Sequence, residues 1–136
     1  MALTTLDHIR TCVNLGIPEQ LPVFALSQEF DACYNGLTYA EYIRDAETVV
    51  RSQLNVIERF GWDWSWLHLD DTLEFEPLGV GVAAGENVVP ATADYLRFDK
   101  KTLASLKVPN PRTACRMPLL LDALAGLREA RGDQTC

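Results

Sequence analysis

The stretch Asp63-Trp64-Ser65-Trp66-Leu67-His68-Leu69-Asp70-Asp71 places an imidazole close to several carboxylates. If it is extended, side chains alternate between two faces, so Trp66, His68 and Asp70 share one face while Leu67, Leu69 and Asp71 share the other. The aliphatic pair belongs against covering helices, which leaves His68 and Asp70 directed away from them. A histidine and a carboxylate two positions apart on one strand face can transfer a proton, bind a polar substrate or orient a cofactor. His68 and Asp70 are therefore the candidate catalytic residues, with a solvated strand end as the bland alternative. Asp71, Glu74 and Glu76 read as surface charge.

A second candidate group follows the apolar run Leu21-Pro22-Val23-Phe24-Ala25-Leu26, where Ser27, Gln28, Glu29 and Asp31 sit at the level of His68 and Asp70. Ser27, Gln28 and Asp31 are the candidate substrate- or cofactor-binding residues. The competing reading is a polar loop. Other patterns carry less chemistry. Trp62, Trp64 and Trp66 at period two suit packing at the end of a strand better than a stacking platform. Gly79-Val80-Gly81-Val82-Ala83-Ala84-Gly85 has the wrong spacing and context for a dinucleotide loop. His8 and Cys12 form a helical i,i+4 pair, too few ligands for a metal, and no complete zinc site is expected within these residues.

The elements that must position these groups alternate in type. Residues 3–15 have mostly helical spacing and stop at Gly16. The run 21–26 is short, apolar and bounded, as a strand buried on both faces would be. Residues 27–37 read as a polar connection. Thr38-Tyr39-Ala40-Glu41 is a capping box that opens a long helix, expected to continue to Phe60 and to end at Gly61. Residues 63–71 are the second strand, 73–81 a short helix or turn, and 80–95 contain strand segments interrupted by Gly85-Glu86-Asn87 and Pro90. Residues 99–112 read as a crossing loop, and Pro118 opens a final helix that ends near Gly132.

This order predicts an α/β fold with right-handed crossovers. A closed (β/α)8 barrel needs about 200 residues or more, so the 136 residues are expected to form only its N-terminal β/α units, as part of a single barrel domain. The formal net charge of −7 argues against phosphate-backbone binding driven by clustered Lys and Arg, so neither nucleic acid nor an anionic membrane is an expected partner. No run approaches the roughly 18 apolar residues that span a bilayer, and no signal sequence is visible, which places the chain in the cytoplasm by default. The four cysteines are widely spaced and read as reduced thiols.

Three stretches carry a family resemblance. Leu21-Pro22-Val23-Phe24-Ala25-Leu26-Ser27-Gln28 resembles the first strand of uroporphyrinogen decarboxylases. Phe60-Gly61-Trp62-Asp63, with Leu67-His68-Leu69-Asp70-Asp71-Thr72-Leu73-Glu74 and Pro77-Leu78-Gly79, resembles their second strand and the turn after it. Arg116-Met117-Pro118-Leu119-Leu120-Leu121-Asp122-Ala123-Leu124 is similar to their helix after the crossing loop. The resemblance implies a TIM barrel and assigns Asp70 the position of the aspartate that contacts the pyrrole nitrogens of the tetrapyrrole.

The chain departs from the decarboxylases where their first loop carries two arginines for substrate carboxylates, positions matched here by Ser27 and Asp31. Without those cations a polycarboxylate is poorly held. The other branch of the superfamily, the corrinoid-dependent methyltransferases, accommodates Ser27-Gln28-Glu29-Phe30-Asp31 more easily. The resemblance then implies transfer of a methyl group between a corrinoid (methylcobalamin) and a thiol or folate acceptor. The implied partner is a corrinoid protein or a small-molecule substrate, and in thiol-methylating members zinc would be held by residues beyond this segment. Decarboxylation and a free-standing, non-catalytic binding module are the alternatives, the segment alone is expected to be inactive, and a homo-oligomer is left open.

Overall fold

A computed structural model describes residues 3–64 and 66–132. Helix α1, Thr5–Val13, is opened by a reciprocal bond pair between Thr4 and Asp7, which satisfies two otherwise orphaned backbone donors. None of its residues is buried. The segment then turns through Leu15, at φ 58°, and Gly16.

Residues 21–26 and 63–71, expected as the first two barrel strands, run side by side over their described residues as far as Asp70. The Asp63 N–H donates to the Val23 carbonyl at 2.8 Å, and the Asp63 carboxylate accepts from the Val23 N–H at 2.6 Å. Phe24 stacks on Trp64 at 4.2 Å between centroids and meets Trp66 at 5.6 Å. Further along, Gln28 meets His68. Partners advance together along both segments, so the two are parallel. Among the described residues they nevertheless do not build a regular ladder. Pro22 cannot donate to one, and the contact is made chiefly by side chains.

Residues 27–37 depart from the expected loop, because Gln28–Tyr34 form helix α2. Its polar sequence hides the reason, which is tertiary: Asp31 and Ala32 are buried against the next two helices. The capping box at Thr38 forms as expected, but the helix it opens is interrupted. Helix α3 spans only Tyr39–Tyr42, and α4 spans Ala46–Phe60. Asp45 causes the break by adopting an extended conformation and accepting the Thr48 N–H at 2.8 Å, a second helix start inside an unbroken apolar periodicity. Gly61 closes α4 at φ 66°, a left-handed geometry that costs glycine nothing.

A short 3₁₀ turn, Glu76–Leu78, precedes the hairpin of β1, Gly81–Gly85, and β2, Val88–Asp94. The strands are antiparallel with a two-residue turn, and the register breaks between Ala83 and Gly85, opposite the stretch that contains Pro90. The hairpin tip is tied to α3 by the Ala40 N–H, which donates to the Glu86 carbonyl at 3.0 Å. The expected crossing loop contains helix α5, Lys100–Ser105, capped by Asp99. Helix α6, Met117–Arg131, carries Pro118 in its first turn and stops at Gly132, close to what its sequence predicts.

The core gathers Ala32, Tyr39, Tyr42, Val49, Leu69, Leu73 and Ala123. It thus joins α2, α3, α4, the second strand-like segment and α6 into one packed body. Each fully buried aliphatic side chain here contributes about 1.5–3 kcal/mol relative to exposure. Helices α4 and α6 approach so closely that a Cβ at Gly126 would lie 2.9 Å from Val50 Cγ2. The architecture is mixed helix and strand, and among the described residues no helix is long and apolar enough to cross a membrane.

Candidate active site

Asp70 ends the second strand-like segment and is fully buried. The Arg116 guanidinium grips it with two nitrogens, Nη1 on Oδ2 and Nη2 on Oδ1, the latter at 3.2 Å. Thr72 donates to Oδ1 from its N–H at 2.9 Å and its hydroxyl at 2.6 Å. Arg116 also donates from Nε to Glu76 at 2.8 Å. Burial alone would push the Asp70 carboxyl up, but the bonds from Arg116 and Thr72 outweigh it and hold the group below the usual carboxylate range. The bond to Asp70 in turn raises Arg116. Both Asp70 oxygens are therefore engaged within the chain.

His68 lies at the surface of the same segment, with its side chain 40 % exposed. Gln28 contacts Nδ1, and Asp71 lies 3.3 Å from Nε2. A carboxylate at Nε2 selects the Nε2–H tautomer, which leaves Nδ1 to accept from the Gln28 amide. The expected strict alternation of faces does not continue past Asp70. Residues 71–75 turn, so Asp71 comes round to His68 instead of sharing the face of Leu67 and Leu69, while its side chain stays exposed as expected of surface charge.

Ser27 and Asp31 are brought together, but beneath the surface. The Ser27 hydroxyl donates to Asp31 Oδ2 at 2.8 Å, and the Tyr42 hydroxyl donates to the same oxygen at 3.4 Å. Gln53 on α4 donates to the Tyr42 oxygen at 3.3 Å. Asp31 is fully buried, and burial raises its carboxyl to about 6 against the lowering effect of Ser27 and Tyr42. As placed, Gln28 and His68 present polar atoms near the surface, whereas Asp31 and Asp70 are internal. Among the described residues no three His, Cys, Asp or Glu side chains are grouped to hold a metal ion.

Sequence reasoning missed Arg116, Thr72, Glu76, Tyr42 and Gln53. A signal existed for one of them. Arg116 occupies the N-cap of α6, where the helix dipole disfavours a cation, so an arginine just before Pro118 implies nearby carboxylates. The partners of Asp31 carried no such mark, because Tyr42 and Gln53 fit the helical pattern as ordinary residues.

Comparison with known proteins places the chain in a family. The model of the uroporphyrinogen decarboxylase (URO-D) family matches residues 13–136. A search of curated proteins finds no match. The fold is similar to that of a methyltransferase from Methanosarcina mazei, with a TM-score of 0.80 at 19 % identity, over 98 % of this chain and 40 % of that one. The chain thus spans less than half the length of the methyltransferase it resembles, and with its family model matched over nearly all its residues it belongs to the uroporphyrinogen decarboxylase family.

Proposed function

We propose that this chain supplies the N-terminal β/α units of a (β/α)8-barrel enzyme that moves a methyl group between a corrinoid and a thiol or folate acceptor. The observation that carries the reading is the composition of the first candidate loop in its folded setting. Residues 27–31 contain no cation, Asp31 is closed off beneath Ser27, and the guanidinium brought to Asp70 is already shared with Glu76 and Thr72. A tetrapyrrole bearing many carboxylates needs free, forked cations. The methyltransferase fold that the chain resembles supports the same branch.

In this reading Gln28, His68 and Asp71 act as a unit. Asp71 fixes the His68 tautomer, Gln28 occupies Nδ1, and a bound polar substrate meets the exposed imidazole edge and the Gln28 amide. Asp70, kept ionised by Arg116, anchors the end of the segment that carries His68. Zinc fits none of the described side-chain groupings. The test is to incubate the full-length protein with methylcobalamin and a thiol or tetrahydrofolate acceptor and follow the corrinoid spectrum. Demethylation of the corrinoid with methylated acceptor is expected. Conversion of uroporphyrinogen to coproporphyrinogen without any methyl transfer would replace this reading with decarboxylation.

A further inference from the structure

Asp31 is a carboxyl with no charge partner. It is fully buried on α2, and among the described residues every ion pair involves other groups. Oδ2 accepts from Ser27 and Tyr42, while Oδ1 is buried without a hydrogen-bond partner. We propose that Asp31 is a positioning residue whose proton controls how α2 presents Gln28 to His68.

The coupling is short. Ser27 immediately precedes Gln28, and its hydroxyl is fixed to Asp31 one turn along α2. Losing the Asp31 proton puts a negative charge where neither water nor a cation can stabilise it. The relief available is displacement of the first turn of α2 toward water, because Glu29 and Phe30 in that turn are exposed. Gln28 sits in the same turn, so its contact with His68 weakens when Asp31 ionises and tightens when it is neutral. Asp31 reaches the site through these neighbours and touches no substrate.

The groups facing Asp31 leave it alone in its pH range. Helix α3 contributes Tyr42 and, next to it, Tyr39, both pushed far above neutrality by burial. The buried face of α4 contributes only uncharged Thr48, Ser52 and Gln53 among its polar residues. Asp70 across the core and Glu29 on α2 raise Tyr39 as Asp31 does, whereas Arg116 lowers it. The Asp31 carboxyl is raised to about 6, first by burial. A raised folded-state value gives a contribution that is complete below the unfolded value of 3.8 and is lost as pH rises to about 6.

This inference rests on the reading that Gln28 and His68 belong to the site, and its test does not require turnover. Hydrogen exchange of α2 amides is measured in the full-length protein and in Asp31→Asn from pH 4 to 8. The protection of the variant relative to the native protein is expected to grow about tenfold per pH unit between pH 4 and 6 and to level off above that. Ser27→Ala should move the levelling point to higher pH, because the Ser27 bond lowers the Asp31 value. The imidazole NMR signals of His68 should change with pH differently in the native protein and in Asp31→Asn. A ratio that stays flat across the range, or a His68 signal that ignores Asp31→Asn, overturns the proposal. PH-dependent protection without methyl transfer would instead remove only the proposed reaction.

Discussion

Asp31 and Asp70 follow two neighbouring parallel segments and are both fully buried, yet their carboxyls are stabilised in opposite ways. Asp70 meets a bidentate guanidinium and two donors from Thr72, which favour the charged form. Asp31 meets two hydroxyls and leaves one oxygen unpartnered, which favours the neutral form. The difference teaches that burial does not set a carboxylate's behaviour; the charge of its first partner does. It also gives the two residues opposite pH signatures. The Asp70 contribution is present above the unfolded carboxylate value and is lost as pH falls through its lowered folded value. The Asp31 contribution runs the other way.

The strongest break in this comparison is Arg116→Met, which leaves Asp70 buried and unpaired. It should cost about 3–5 kcal/mol at neutral pH, read by urea denaturation of the full-length protein, and the loss should shrink in acid where Asp70 can protonate. A loss equal at pH 4 and pH 7 would show that Arg116 acts by packing alone.

Next is Asp31→Asn. Relative to the native protein, the stability of the variant should improve by up to about 2 kcal/mol between pH 4 and pH 8, as the native carboxyl is forced to ionise. Denaturation midpoints that keep a constant separation across that range would remove the distinction between the two aspartates.

Thr72→Val tests whether the hydroxyl adds to what the guanidinium already supplies. A cost of about 1–2 kcal/mol is expected, together with a rise of the Asp70 carboxyl seen by carbon NMR titration. An unchanged titration would assign the whole effect to Arg116. The smallest change should come from Gln28→Ala, a half-exposed residue whose loss should alter stability by about 0.5 kcal/mol or less. The measurable consequence is at His68, whose ring resonances should shift. Unchanged resonances would mean that the Gln28–His68 contact is not maintained in solution.

Much of the frame was legible from local chemistry. The capping box at Thr38, the stop at Gly61 and the start at Pro118 depend on backbone donors and glycine conformations within four residues, and all three form. Ser27, Gln28, Glu29 and Asp31 were expected together at the level of His68, but which of them meets it was not legible: Gln28 does, while Asp31 is buried. The interruption at Asp45 was harder to see because apolar spacing on both sides stays helical, although Asp45-x-x-Thr48 has the form of an N-cap. Helix α2 was obscured by its polar residues, and α5 by the lysines and the prolines that follow it. The turn at Asp71 was missed because strand alternation was extended one residue too far.

The sequence by itself determined the capping box at Thr38, the stop at Gly61, the acidic balance of the chain, and the residue types gathered near His68. These follow from side chains acting on their own backbone or on bulk charge. Only the tertiary structure decided that Asp70 is paired with Arg116, 46 positions away, and that Asp31 is sealed among Ser27, Tyr42 and Gln53. The charge state of a buried carboxyl depends on groups a few ångströms distant in space, and chain separation does not encode that distance.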